Sequence, residues 1–343
     1  MGQINTVTGT ISAEQLGVTL PHEHALLDLT CLWDAPQDPA RRWLVDEPVR
    51  AELFEILQDD PYHNLDNLRL DDVPAVMDEL KQFQAAGGHT VVDLSTLSIG
   101  PYPRELGDLS RGTGLNIVAG TGFYVRSAHP DWVQDAPCEV LYEHMLRDLT
   151  EGFPGSGGIK AGIIGELGTG SPIHPTELKV LEAAVRVQRE HPVAINVHLA
   201  IFASQGLHVL DALESFGADL TRVALSHLDE NLDSAYHLAL AERGVYLEFD
   251  TFGSECRFSE DGSREPTDAE RLAALSRLME RGYGERLLIS QDVCTKMQWS
   301  RHGGKGYAHV LTTIVPQLLD AGLSRAEVDQ IIRVNPARLL GGK

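Results

Sequence analysis

Apolar and polar positions along this chain repeat with two different periods. Eight short runs rich in β-branched residues recur in order, at 18–24, 90–95, 116–124, 160–167, 193–198, 223–227, 245–250 and 287–292. Each predicts a strand. Between most of them the spacing turns helical. Val73, Val76, Met77, Leu80 and Phe83 mark one helix face, with Asp72 before Pro74 as its start and Gly87-Gly88 as its stop. Leu178, Leu181, Ala184 and Val185 repeat the pattern, as do Val310, Ile314, Leu318 and Leu319. A capping box from Ser324 to Glu327 opens the last helix, and Pro336 stands near its close. Eight strands alternating with helices predict a closed α/β barrel of the (β/α)8 TIM type. No Pro/Ser-rich linker interrupts the chain, so a single domain over 1–343 is expected.

Three strand-following connections are long. The first, 25–70, carries Trp33, Trp43 and several prolines and is expected to form an insertion with its own helix near 49–57. The second is 251–267. The third, 293–306, surrounds Gly303-Gly304. Barrel enzymes build their sites from such loops, so these three should form the pocket, with the insertion near its mouth.

Composition removes several function classes. With 28 basic against 50 acidic residues the net charge is −22, which argues against nucleic acid and against anionic membrane surfaces. Cys31, Cys138, Cys256 and Cys294 are scattered, indicating neither a disulfide framework nor a zinc ribbon. No secretory leader and no run of 18 apolar residues is read, so a reducing cytoplasmic location is expected.

The strand ends carry the chemistry. Gly17-Val18-Thr19-Leu20-Pro21-His22-Glu23-His24 reads as a strand ending in His-x-His, and strand alternation puts His22 and His24 on one face with Glu23 turned away. Glu166 lies in the fourth strand, while His198, His227 and Asp292 end the fifth, sixth and eighth. Six nitrogen and oxygen ligands exceed one tetrahedral zinc site and suit two divalent ions. Zinc fits imidazole and carboxylate ligands best, with Mn, Co or Fe as alternatives.

These motifs resemble the amidohydrolase superfamily and, within it, the phosphotriesterase family. The likeness runs from Thr6-Val7-Thr8-Gly9 to Asn335-Pro336 and includes Gly120-Thr121-Gly122-Phe123-Tyr124. Gly162-Ile163-Ile164-Gly165-Glu166-Leu167-Gly168, and Asp292-Val293-Cys294-Thr295-Lys296 followed by Gly303-Gly304-Lys305-Gly306-Tyr307, are similar to the phosphotriesterase-related and phosphotriesterase homology branch. The resemblance implies that His22, His24 and Asp292 hold a buried metal and that His198 and His227 hold a more exposed one. Glu166 would bridge them where phosphotriesterase itself uses a carboxylated lysine; Lys160, six residues earlier, is the alternative bridge. A bridging hydroxide would then attack the substrate while Asp292 accepts the proton.

One departure bears on substrate. The family's proton-relay histidine would follow Asp250, where this chain has Thr251, although the relay's acid is matched by Glu230. This favours a carbonyl centre: a lactone, ester or N-acyl amide, with phosphotriester hydrolysis or a non-catalytic ligand-binding barrel as alternatives. Tyr124, Lys296, Arg301 and Lys305 are candidate substrate contacts, the three cations as a pocket for an anionic group. The expected partner is a small molecule, and a homodimer is compatible with the family.

Overall fold

The computed structural model describes residues 2–259 and 262–342; Met1 and Lys343, the outer limits of the expected domain, lie outside them. Eight parallel strands form one sheet in chain order: β1 (Thr19–Glu23), β2 (Thr90–Asp93), β3 (Asn116–Thr121), β4 (Ile163–Gly168), β5 (Ile195–His198), β6 (Val223–Leu225), β7 (Tyr246–Phe249) and β8 (Leu287–Ile289). The backbone ladder runs from β1 through to β8. Side chains close the remaining seam. Ser290 Oγ donates to Glu23 Oε1 at 2.7 Å and accepts from the His22 amide at 3.3 Å. The fold is a (β/α)8 barrel.

Alternation along each strand sorts the core into two sets. Val91, Ile117, Ile164, Ile195, Leu225 and Leu287 pack with the surrounding helices. Their neighbours Val92, Val118, Ile163, Ala194, Ala224 and Leu288 form a second cluster with Ile4, Leu16 and Leu340. Two residues beyond this second cluster, on the same strand faces, stand Asn196, Ser226, Glu248 and Ser290, all buried. The next positions on β5, β7 and β8 are His198, Asp250 and Asp292. The barrel interior thus passes from an apolar layer to a polar layer and then to the residues of the site.

The helix after the insertion spans Val73–Ala85, with Asp72 accepting from the Ala75 amide. It buries Val76, Leu80 and Phe83 fully and Val73 and Met77 partly. Pro336 does not close the last helix. A wide π-type turn over Gln330–Val334 carries the chain from Arg325–Asp329 into Asn335–Gly341, and Pro336 opens that segment. Val310–Ile314 makes the same turn ahead of Pro316. Proline lacks the amide a regular helix needs, and in both places it stands just past a widened turn.

The observed strands stop short of several expected ends. His24, Ser95, Tyr124, His227, Asp250 and Asp292 lie just beyond the ladder. His227 and Asp292 adopt left-handed backbone, with φ of 59° and 46°. Non-glycine residues pay about 1–3 kcal/mol for that conformation, and it clusters at functional sites. The insertion is tied at its base by Leu27–Asp28 pairing with Arg69–Leu70, and its helix is Phe54–Asp59.

Candidate metal centre

Two sets of ligand atoms converge at the C-terminal mouth of the barrel. His22, His24 and Asp292 form one, and Glu166, His198 and His227 form the other; within each set the ligand atoms lie within 4.8 Å of one another. Glu166 stands between them. Its Oε1 is 3.3 Å from His24 Nε2, and its Oε2 is 3.2 Å from His198 Nδ1 and 3.6 Å from His22 Nε2. Asp292 Oδ1 lies 3.2 Å from His24 Nε2 and 3.7 Å from His22 Nε2. Among the described residues, His22 Nε2 and Asp292 Oδ1 are buried with no hydrogen-bond partner. Buried polar atoms are rarely left unpaired, and a cation between them would satisfy both.

The Nδ1 atoms of His22, His24 and His227 are held. His24 Nδ1 meets Ser95 Oγ at 2.9 Å. Asp250, wholly buried, serves two histidines at once: Oδ1 accepts from His227 Nδ1 and Oδ2 from His22 Nδ1, each at 3.0 Å. Asp250 Oδ1 also accepts from the His227 amide at 2.9 Å, which supports that residue's left-handed backbone. Beneath it, Glu248 Oε2 accepts from Asn196 Nδ2 at 2.6 Å and Ser226 Oγ at 2.9 Å and lies 3.3 Å from His22 Nδ1. Such outer partners fix the tautomer and aim the free nitrogen at the centre. Sequence reasoning did not assign Asp250 or Glu248 a role. The alternation Tyr246, Glu248, Asp250 was the available signal, since two acids on the inner face of a barrel strand require partners.

Burial and charge act in opposite directions on these groups. Burial alone would lower His24, yet Asp292 and Glu166 raise it to about 9. Burial also opposes charge on His22 and His227, but Asp250 and its neighbours hold both well above the usual histidine range. Burial would raise Glu166, and His198, His227 and His24 hold it well below the usual carboxylate range. The centre is a dense set of anions and imidazoles that demands positive charge.

Glu23 stays outside the cluster, as strand alternation requires. It is buried all the same, with Oε1 accepting from Ser290 Oγ and the Gln291 amide and Oε2 from the Val293 amide at 2.9 Å. It therefore braces the backbone on both sides of Asp292. Burial pushes its carboxyl up to about 7.

Where a relay histidine was sought, Thr251 Oγ1 reaches Glu230 Oε1 at 2.5 Å and Asp229 Oδ2 at 3.0 Å. Buried Arg271 pairs with both acids, at 2.8 Å to Glu230 and 3.3 Å to Asp229. Burial nonetheless raises Asp229 to about 7 and Glu230 to about 8.

A narrow cavity opens on the cluster. His198, His227 and Asp292 line it, with Tyr124 and parts of all three long connections: Tyr62, Cys256 and Thr295. Tyr124 sets its ring edge against His198, 4.9 Å between centroids, and burial keeps its phenol well above the ordinary range. The three nominated cations are elsewhere. Lys296 Nζ is paired with Asp66 at 2.6 Å and Asp71 at 2.9 Å. Arg301 and Lys305 are exposed, and none of the three lines this cavity. Lys160 lies beside Thr6 and Gly158 in a separate cleft, away from Glu166.

Fold and site together define a barrel hydrolase of the metal-dependent kind. The chain belongs to the phosphotriesterase family, whose model matches residues 2–340. It is 35% identical to the N-acetyltaurine hydrolase of Xenopus tropicalis, over 99% of this chain and 98% of the relative. Among solved structures, a resiniferatoxin-binding protein from Rhodobacter sphaeroides superposes with a TM-score of 0.96 at 36% identity, covering 99% of this chain and 95% of that one. The phosphotriesterase homology protein of Escherichia coli, solved with phosphate in its active site, gives 0.78 at 29% identity, covering 95% and 99%. No helix among the described residues is long and apolar enough to cross a membrane.

Proposed function

We propose that this protein is a two-metal hydrolase of carbonyl substrates, with N-acyl amides first and lactones or esters next. The observation that carries the reading is Glu166 spanning two three-residue ligand sets, one of which contains the partnerless His22 Nε2 and Asp292 Oδ1. His22, His24 and Asp292 would hold one divalent ion, His198 and His227 a second, with Glu166 shared and zinc the best match. When bound, such ions activate water as a nucleophile and polarise the acyl oxygen.

The protein's own groups do the rest. Asp250 and Ser95 engage the Nδ1 atoms of three imidazoles, so that each Nε2 is turned toward the centre. Asp292, 15% exposed at its side chain, can take the water's proton on a carboxylate oxygen and pass it to the leaving group. The phenol of Tyr124 stays protonated and can donate to the substrate. The relatives named N-acetyltaurine hydrolase support an amide bearing an anionic group, a feature Arg301 or Lys305 would have to meet from outside the inner cavity. The reading includes one cytoplasmic domain over 1–343.

The test is a hydrolysis screen of acyl amino compounds, lactones and phosphotriesters with zinc-loaded protein. Amide turnover is expected, with Asp292→Asn retaining at least one metal and losing about 10²–10⁴-fold in kcat. Wild-type turnover by Asp292→Asn would refute its proton role. Phosphotriesters turned over faster than every carbonyl substrate would refute the preference.

A further inference from the structure

The cavity at the metal centre is too small to hold a whole substrate. It offers about 60 Å³, room for a few waters or for the reacting carbonyl and its first substituents. Beyond it lies a second chamber of about 560 Å³, within the range of ordinary ligand pockets. Tyr62 and Ile201 line both, so the two spaces adjoin at these side chains.

One wall of the outer chamber is apolar, made by Tyr62, Ile201, Phe202 and Phe258, while Asp34, Gln37, Asp60, His63 and Ser263 complete its lining. Tyr62 and Phe258 stack at 6.2 Å with their planes 17° apart, and Phe202 meets Phe258 edge-on at 5.9 Å. Phe202 is 38% exposed and takes a left-handed φ of 61°, a conformation a bulky residue rarely adopts. Asp60, on the chamber wall, is already engaged by Arg41 at 2.8 Å and by the Ser259 hydroxyl at 2.6 Å. No Lys or Arg lines either space among the described residues. Orientation follows from Glu230, which lines only the inner cavity. Its Oε2 is buried without a partner there, a polar atom that the amide group can meet and an acyl chain cannot.

We propose that the outer chamber receives the acyl chain, and that the preferred substrates are amides of aromatic or medium-length aliphatic acids rather than of acetic acid. This rests on the amide reading above and adds to it the class of acyl group.

The test compares N-acetyl-, N-hexanoyl- and N-phenylacetyltaurine as substrates of zinc-loaded protein, and acetate against phenylacetate as ligands by titration calorimetry. Burying a ring or a four-carbon extension should raise kcat/KM roughly 10- to 100-fold over acetyl. Phenylacetate should outbind acetate by a similar factor. Both ratios should collapse towards one in Phe258→Ala and in Phe202→Ala, the latter an exposed position whose loss leaves the core intact. Ratios near one in the wild type, or ratios unchanged in both variants, would overturn the proposal. Failure to hydrolyse any amide would instead overturn the amide reading, and the calorimetric ratio would still decide the chamber.

Discussion

Asp250→Asn isolates the carboxylate that sequence reasoning overlooked. In the wild type its two oxygens each accept from a histidine Nδ1 at 3.0 Å, one histidine from each proposed metal set. Asparagine is nearly the same size, so no cavity forms. It has one oxygen, however, and that oxygen is best kept by His227, whose ring nitrogen and backbone amide both donate to it. The new amide nitrogen then faces His22 Nδ1, donor against donor. One buried unsatisfied donor costs about 1–3 kcal/mol, and His227 keeps only a neutral hydrogen bond where a charge-assisted one stood. A loss of about 1.4–2.8 kcal/mol is a 10- to 100-fold weaker metal affinity, the usual result of removing an outer partner of a ligating histidine. Competition against a zinc chelator measures it directly, and circular dichroism checks that the fold survives. Activity should return as zinc is raised. Wild-type zinc affinity in a folded Asp250→Asn protein would refute the claim that this carboxylate orients the ligands.

Glu166→Gln removes the shared anion between the two ligand sets, so elemental analysis should find about one metal per chain in place of two. Retention of two would put the bridge elsewhere. Metal loading should also depend on pH. His24 is held at about 9 in the metal-free protein, so below that pH a metal must displace its proton. Affinity should therefore fall as pH drops from 9, by up to tenfold per unit from this group, with protons released into a weakly buffered indicator solution; pH-independent affinity would contradict the assignment. Arg271→Leu should cost about 3–5 kcal/mol, because Asp229 and Glu230 lose the cation between them. Their folded pKa values, about 7 and 8 with Arg271 present, lie above unfolded values and would rise further without it. The folded state thus binds more protons, and the variant's deficit in Tm should grow between pH 6 and 9. A deficit constant over that range would mean the two acids are not the cause.

Much of this molecule was legible from local pattern. Eight β-branched runs gave eight strands, because residues that fit a doubly covered strand declare themselves within one short run. The gathering of His22, His24, Glu166, His198, His227 and Asp292 followed from their places at strand ends, since a closed barrel brings all such ends to one rim. The residue between His22 and His24 was equally readable: Glu23 had to face away from both.

The tertiary structure alone decided which partner each charge finds. Lys296 looked like an anion receptor close to Asp292, yet Asp66 of the insertion, 230 positions earlier, and Asp71 just after it neutralise it. Glu23 clamps the backbone on both sides of Asp292 across 268 and 270 positions. Arg271 reaches back 41 positions to Glu230, next to the Thr251 that replaced an expected histidine. Side-chain periodicity is set by neighbours on the same element, so the sequence determines which face a residue occupies. Pairing of buried charges is set by desolvation and distance across elements, and only the closed barrel brings those elements together.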